Sequence, residues 1–246
     1  MKSLKWEYKL GIVLIVISVS VYTIKFLVFG ELESTIIYLF NVSGFLPINI
    51  LLVTLILNQL LIMRSKKEKL EKMKIVIGTF FSEFGTKLLV IFSNSDTNLE
   101  EIQGNLIISD DWSDTEFARV NRNLQQHTYE LDISKIDFIS LKEFLVQHRA
   151  FLTRLLENPI LFEHAPFTEL LRAIFHLTEE LESRDSLTDL PEKDYIHLKG
   201  DIQRAYSLLM FQWLDYMKYL MNEYPYLFSL AMRKNPFDAT ASPILH

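Results

Sequence analysis

The chain has 246 residues and a net charge of −6, and 49% of its residues are hydrophobic. It contains no cysteine, which excludes disulfides, zinc–thiolate centres and thiol nucleophiles. Walker A, GxGxxG, HExxH and GxSxG motifs are missing, so kinases, P-loop enzymes, zincins and α/β-hydrolases lack their central residues. The sequence therefore predicts a protein that is not an enzyme and has no cofactor.

Two long apolar runs fill the first quarter of the chain, at residues 10–29 and 35–63. A bilayer core needs about 20 apolar residues per helical crossing, so the sequence predicts a transmembrane hairpin, with its second span at 45–63. Pro47 lies near the start of that span and removes one helical hydrogen bond. Residues 35–44 are therefore expected to be interfacial or kinked.

The first run contains two features that allow another interpretation. Ser18-Val19-Ser20 resembles a signal-peptide cleavage site, although the apolar residues continue well past it. Lys25 lies near the end of the run, where its long side chain can carry the ammonium to the headgroups; a buried functional lysine is the alternative. Even if the first run were cleaved, the second would leave the C-terminal domain on the same side of the membrane.

The distribution of basic residues predicts the orientation of the hairpin. Lys2, Lys5 and Lys9 precede the first run, whereas the connection 30–34 has no basic residue. A basic segment, 64–74, follows the second run. The positive-inside rule therefore predicts a multi-pass cell-membrane protein with a cytoplasmic N terminus and C-terminal domain. The expected binding residues for the bilayer and its anionic headgroups are Arg64, Lys66, Lys67, Lys69, Lys72 and Lys74.

Residues 64–246 are predicted to form one cytoplasmic helical domain, because apolar residues recur at spacings of three and four without period-two alternation. The basic segment has a net charge of +4, whereas residues 75–246 carry 15 basic and 26 acidic residues, a net charge of −11. Nucleic acid is bound chiefly through Lys and Arg, so it is not an expected partner. The predicted fold class is all-α: a transmembrane helical hairpin (1–63) followed by a cytoplasmic α-helical bundle (64–246).

Local signals predict where the helices of this domain begin and end. The second run is expected to continue as a stalk helix that ends at Asn94. The spacing of Ser113 and Glu116 is that of a capping box, which begins a helix. One helix is predicted to cover 138–158, and others begin near Pro166 and Pro191, since proline is tolerated in the first turn.

Histidines and carboxylates at helical spacing form one candidate site. On each of two successive helices, residues three, four or seven apart share a face, and metal-binding bundles hold their ions with carboxylate–histidine pairs that project inward from facing helices. Ordinary salt bridges and hydrogen bonds are the competing interpretation. The candidate metal ligands are Glu169, His176, Glu180, Asp194, His197 and Asp201.

Three stretches resemble a family of uncharacterised prokaryotic two-span membrane proteins: VIGTFFSEFGTKLL (76–89), LLENP (155–159) and YPYLFSLAMRKNPFD (224–238). The resemblance extends over the basic segment and the whole C-terminal domain. It implies a cytoplasmic helical domain and adds no catalytic residue.

Three functional hypotheses follow from these features. The first is a non-enzymatic interaction or regulatory module at the cytoplasmic membrane face, acting through a second copy or a helical protein partner. Asn58 and Gln59 support it, because polar amides near the end of a span commonly hydrogen-bond to a neighbouring helix. The second is a carboxylate/His metal-binding or ligand-sensing domain. The third is a small oligomeric channel, in which the interrupted second run would line the pore.

Overall fold

The computed structural model describes residues 2–30 and 32–244, which divide into two compact units, Met1–Lys66 and Lys67–His246. Within these residues no strand is present, and an isolated bridge between Asp96 and Leu131 is the only β pairing. The all-α prediction is therefore confirmed. Of the features that predicted the orientation, the side chains of Lys2, Lys5 and Lys9 and the whole of Glu31 lie outside the described residues.

The first unit contains helix α1 (Lys2–Phe29) and the beginning of helix α2 (Leu32–Phe80). The polar residues in the first run satisfy their hydroxyls within α1: Ser20 donates to the Val16 carbonyl and Thr23 to the Val19 carbonyl, both at 2.8 Å. Such hydrogen bonds let hydroxyl residues sit in an apolar helix without an exposed polar group. The ammonium of Lys25 lies 5.8 Å from the ring centroid of Tyr38, a cation–π contact from α1 to α2.

Helix α2 continues without a break through 35–44 and past Pro47. It also continues beyond the second apolar run and ends at Phe80, before the predicted end at Asn94. Among the described residues, one helical stretch, Glu33–Ser93, is long and apolar enough to cross a membrane; its most apolar window has a mean hydropathy of 2.2 and is entirely unburied. The apolar stretch Ile15–Val28 of α1 is shorter. A membrane crossing by α1 therefore stays a prediction.

The second unit is a helical bundle assembled on the end of α2. A five-residue π-helix, Phe81–Gly85, joins α2 to the next helix. The following helices are α3 (Thr86–Ser93), α4 (Glu100–Gln103), α5 (Asp114–Gln126), α6 (Phe138–Gln147), α7 (Arg149–Leu156), α8 (Ala165–Glu182), α9 (Glu192–Glu223) and α10 (Pro225–Met232). The longest, α9, runs through the middle of the bundle and contacts α3, α5, α8 and α10.

Helices α8 and α9 form an antiparallel pair joined by the loop 183–191. Their facing sides are apolar and buried, with fully buried leucine, isoleucine and tyrosine side chains that include Leu177, Leu181, Leu198 and Tyr206. Burial of each such side chain contributes about 1.5–3 kcal/mol. This packing fixes which residues on the outer edges of the two helices lie opposite each other.

The π-helix depends on Gly85. Thr86 closes this wider turn by donating its hydroxyl to the Phe81 carbonyl at 2.8 Å. A Cβ on Gly85 would lie 2.5 Å from Phe80 Cε1 and 2.9 Å from Phe81 Cδ1. Both rings are fully buried, so neither can move without disturbing the core.

We expect Gly85→Ala to lower the free energy of unfolding by about 1–3 kcal/mol, the usual cost of overpacking. Gly200→Ala is the control: Gly200 lies within α9 and a Cβ there meets nothing within 4 Å. It should raise stability by about 0.5–1 kcal/mol, because alanine favours a helix over glycine. Urea unfolding of the two variants followed by circular dichroism measures both changes, and equal effects would contradict the packing argument.

The single helix predicted over 138–158 is wrong, because the structure has two helices that break at His148. The His148 backbone has φ −94° and ψ 1°, outside the helical range. Its ring nitrogen Nδ1 lies 2.7 Å from the Phe144 carbonyl, and the ring packs against Phe144 and Phe84 at centroid distances of 4.6 and 5.4 Å. The Phe144 carbonyl therefore contacts both the imidazole and the His148 backbone N–H, which donates to it at a long 3.3 Å, and the helix is interrupted at this residue.

Helix α6 begins at a charged cap. The Asp137 carboxylate accepts hydrogen bonds from the backbone of Ile139 at 3.0 Å and Ser140 at 3.2 Å, and from the Ser140 hydroxyl at 2.7 Å. The Ser140 hydroxyl is the largest influence holding the pKa of Asp137 below its ordinary value of 3.8. The ionised cap therefore stabilises the fold fully above that pH, and its contribution is lost as the pH falls through the lowered pKa.

We expect Asp137→Asn to keep α6 capped, because an amide oxygen also accepts from backbone N–H groups. The variant should nevertheless show a smaller fall in stability between pH 5 and pH 2 than the unmodified chain. Thermal unfolding measured across this range tests the assignment. An identical pH dependence for the two proteins would contradict it.

Candidate metal centre

The structure brings four of the six candidate ligands together on one edge of the α8–α9 pair. His176 and Glu180 are one turn apart on α8, and His197 and Asp201 are one turn apart on α9. Because the helices are antiparallel, each histidine lies opposite the carboxylate of the other helix. The histidine side chains are about half exposed (45% and 51%), whereas Glu180 is 26% and Asp201 only 12% exposed.

Each histidine Nε2 faces two carboxylate oxygens. Asp201 Oδ2 lies 3.4 Å from His197 Nε2 and 3.6 Å from His176 Nε2. Glu180 presents Oε2 at 3.5 Å from His197 Nε2 and Oε1 at 3.8 Å from His176 Nε2. These separations exceed the 2.7–3.2 Å of an N–H···O hydrogen bond. The four side chains therefore lie around a common space but do not hydrogen-bond to one another across it.

Asp201 carries an unsatisfied oxygen. Its Oδ2 atom is buried and has no hydrogen-bond partner among the described residues. A buried carboxylate oxygen without a donor is costly, and such a group in a folded protein calls for an ion or another partner. The groups facing this oxygen are the imidazoles of His176 and His197.

Arg184, in the loop after α8, holds the neighbouring carboxylates in place. Its guanidinium makes two hydrogen bonds to Asp194, at 2.6 and 2.8 Å, and donates to Glu180 Oε2 at 2.8 Å. The hydrogen bond from Arg184 is the main reason that the pKa values of Glu180 and Asp194 lie below their ordinary range. Both carboxylates are therefore ionised at neutral pH. Asp194 is occupied by this bidentate pair and does not join the four-residue cluster.

Glu169, the sixth candidate, also lies outside the cluster. It is two turns before His176 on α8 and lines a cleft of about 630 Å³ that His176 also lines. Arg172 and Arg204 line the same cleft, and neither has a carboxylate partner in the described part of the chain. The sequence predicted correctly that Glu169 and His176 share a face of α8. This face extends beyond the four-residue cluster, so Glu169 is not part of the cluster.

The predicted membrane-surface residues all lie on α2. Residues 64–72 of this helix are exposed, whereas Lys74 is half-buried. Its ammonium lies 4.4 Å from the ring centroid of Tyr219, a cation–π contact within the second unit. Lys74 therefore contributes to packing in the bundle. Binding of anionic lipid headgroups by the other five residues stays a prediction.

One buried polar pair was missed by the sequence. The side chains of Asp96 and His127 are almost completely buried, with Asp96 Oδ2 3.5 Å from His127 Nε2. Asp96 also accepts a hydrogen bond from the Asn98 backbone at 3.0 Å, and Tyr129 packs edge-on against the histidine ring. The partners are 31 residues apart, so no local spacing indicates the pair. It joins the segment after α3 to the end of α5.

The comparisons with known proteins identify an all-α protein built from two helical parts. Residues 2–61 match the model of the N-terminal helical domain of MJ1433, and residues 69–233 match that of the C-terminal helical domain of the uncharacterized protein MJ1433. The chain therefore belongs to the MJ1433 family. This bears out the predicted resemblance to an uncharacterised family.

A curated relative extends the match over almost the whole chain. The chain is 45% identical over 229 residues to the uncharacterized protein MJ1433 of Methanocaldococcus jannaschii, covering 93% of this chain and 92% of the relative. No solved structure matches the chain. The name of this relative states no activity.

Proposed function

We propose that this chain is an integral membrane protein whose apolar helices anchor a helical domain at the cytoplasmic membrane face. In this proposal, the domain is a non-enzymatic interaction or regulatory module. The observation that carries the anchoring is the exposed apolar surface of residues 12–63, where large side chains such as Leu27, Phe40 and Leu61 are 65–79% exposed.

An apolar surface of this extent needs a nonpolar environment. Soluble monomers rarely expose a contiguous apolar patch larger than a few hundred Å². On α2 nearly every residue from Ile36 to Met63 is exposed, and the large side chains are apolar all round the helix. A helix that is hydrophobic on every side is either buried in a large core or surrounded by lipid. Since this one is unburied, lipid is the environment that fits.

The charges at the ends of the apolar runs support a cytoplasmic C-terminal domain. The basic segment 64–74 directly follows the second run, and no basic residue lies in the connection 30–34. Basic residues within about 15–20 residues of a span determine its orientation. A domain with a net charge of −11 next to a basic segment also favours a protein or small-cation partner over nucleic acid.

Two amides support association between anchors. Asn58 and Gln59 are exposed in the apolar part of α2, and neither side chain has a hydrogen bond to another described residue. In a bilayer an amide gains about 1 kcal/mol or less by bonding to a neighbouring helix. A second copy of this chain presents the same pair of amides, so self-association satisfies both.

Fractionation of cells that express the full chain tests the anchoring. We expect the protein to remain in the membrane pellet after washing with alkaline carbonate and to be released by detergent. Peripheral proteins held only by charge leave the membrane under the alkaline wash. Recovery of the chain in the wash or in the soluble fraction would overturn the proposal.

A further inference from the structure

We propose that His176, Glu180, His197 and Asp201 bind one divalent transition-metal ion, with zinc as the best fit. The ion would cross-link α8 to α9 beside the loop 183–191. Among the described residues, His176, Glu180 and His197 form the one group of potential ligands whose atoms lie within 4.8 Å of one another, and Asp201 Oδ2 lies 3.4–3.6 Å from both histidine nitrogens. The donor set, its geometry and its charge each support this assignment.

The nitrogen–oxygen distances within the cluster are close to those between neighbouring ligand atoms of a tetrahedral site. Zinc bonds to imidazole nitrogen and carboxylate oxygen are about 2.0–2.2 Å long, so two ligand atoms of a tetrahedral site lie about 3.3–3.6 Å apart. The four nitrogen–oxygen separations in the cluster are 3.4, 3.5, 3.6 and 3.8 Å. The arrangement is thus too open for hydrogen bonds. His176, Glu180 and His197 each offer one ligand atom within 4.8 Å of the other two, and Asp201 Oδ2 lies 3.4 and 3.6 Å from the two histidine nitrogens, so rotation of the carboxylate side chains would bring all four ligands around one ion.

The buried oxygen of Asp201 is an independent indication. Asp201 Oδ2 is the one carboxylate oxygen that lies within 3.6 Å of both histidine Nε2 atoms, and it has no hydrogen-bond donor among the described residues. A cation between the two Nε2 atoms and this oxygen would supply the missing partner. The half-exposed imidazoles leave the cluster open to solvent, which provides the path by which the ion enters.

The net negative charge of the ligands equals the positive charge of a divalent ion. Arg184 and Asp194 neutralise each other in their bidentate pair, which leaves the two negative charges of Glu180 and Asp201. The hydrogen bond from Arg184 also fixes the orientation of the Glu180 carboxylate. Metal-binding carboxylates are commonly held by such outer hydrogen bonds, and their loss typically reduces metal affinity 10- to 100-fold.

The donor atoms select the class of metal. Imidazole favours zinc, copper, iron and nickel, whereas magnesium and calcium prefer sites made of oxygen alone. Four protein ligands leave no open position at a tetrahedral ion, which is the arrangement of structural rather than catalytic zinc sites. The inferred role of the ion is therefore to hold α8 and α9 together, so that the stability of the bundle depends on metal supply.

The test uses the full, tag-free chain in detergent, stripped with a chelator and then dialysed against zinc in the presence of millimolar magnesium. We expect one equivalent of zinc per chain by elemental analysis, and a rise of several degrees in Tm that the chelator reverses. His197→Ala and Asp201→Asn should weaken zinc binding at least about 100-fold, because each removes a ligand. Glu169→Gln is the matched control, since it changes a candidate outside the cluster, and it should bind zinc like the unmodified chain.

Circular dichroism of the stripped proteins shows whether each variant remains folded. His176→Ala serves as a further ligand variant if Asp201→Asn unfolds, because His176 is nearly half exposed. Less than about 0.1 equivalent of zinc on the unmodified chain would overturn the proposal. Equal zinc binding by the folded ligand variants and by Glu169→Gln would also overturn it, because the ion would then lie elsewhere.

Discussion

Replacing both Leu52 and Leu55 by lysine should abolish stable membrane insertion of the chain. A lysine at the centre of a membrane helix costs about 2.5–3.5 kcal/mol on the insertion scale, so the pair costs about 5–7 kcal/mol. Both residues lie on α2 within the predicted span 45–63 and are 51% and 56% exposed, so no protein packing would shield the charges. We expect most of the variant to leave the alkaline-resistant membrane pellet, with degradation or aggregation of the released chain.

Leu70→Lys with Ile75→Lys is the matched control for this change. These leucine and isoleucine side chains are also exposed on α2, at 46% and 58%, but they follow the apolar run. Two added lysines in or beside the basic segment should leave insertion unchanged, because positive charge is favoured there. Equal membrane retention of both double variants would contradict the assignment of 45–63 as a span.

Phe80→Ala should be the most damaging single substitution considered in the second unit. The Phe80 side chain is fully buried, and its ring contacts Phe81, Phe84 and Phe167 at centroid distances of 5.1–5.5 Å. Truncation removes the buried surface and leaves a cavity where α2, the π-helix and α8 meet. We expect the free energy of unfolding to fall by about 3–5 kcal/mol.

Phe162→Ala is the control for Phe80→Ala, because the Phe162 side chain is 59% exposed. Its expected effect is within about 0.5 kcal/mol, as is usual at the surface. Urea unfolding followed by tryptophan fluorescence, to which the buried Trp213 contributes, measures both variants. A loss below about 1 kcal/mol for Phe80→Ala would show that Phe80 is not a central residue of the core.

The sequence predicted helix boundaries well wherever the signal is local. The capping box of Ser113 and Glu116 is present in the structure, and the helix that it begins ends at Gln126. Asn94 follows the last residue of α3, and Pro191 immediately precedes α9. These boundaries depend on hydrogen bonds and backbone restrictions within four residues, which a single sequence contains.

The features that the sequence did not predict depend on tertiary packing. The break at His148 requires the Phe84 ring, which lies more than sixty residues earlier in the chain. The π-helix Phe81–Gly85 carries no proline or other helix-breaking signal at its start, and its geometry is fixed by buried rings. The spacing of apolar residues identifies the buried face of a helix. It does not show where a turn of that helix holds one extra residue, as in the π-helix.

The sequence predicted which residue types and which helix faces form the candidate metal site, and metal binding itself stays a prediction. Helical spacing correctly grouped the residues of α8 and those of α9, yet it could not decide at which level the two helices meet. The antiparallel pairing selects His176, Glu180, His197 and Asp201. Arg184 forms an ion pair with Asp194 and so keeps it out of the cluster. Because Arg184 lies in a loop, helical spacing could not predict this contact.

The most direct test of the central claim is the topology of the chain in the membrane of intact cells. Because the chain has no cysteine, Ser34→Cys and Ser186→Cys each introduce a single thiol for a membrane-impermeant maleimide. If the apolar helices form a hairpin that anchors a cytoplasmic domain, Ser34→Cys is labelled in intact cells and Ser186→Cys is labelled only after lysis. Labelling of Ser186→Cys in intact cells, or protection of Ser34→Cys until lysis, would contradict the account.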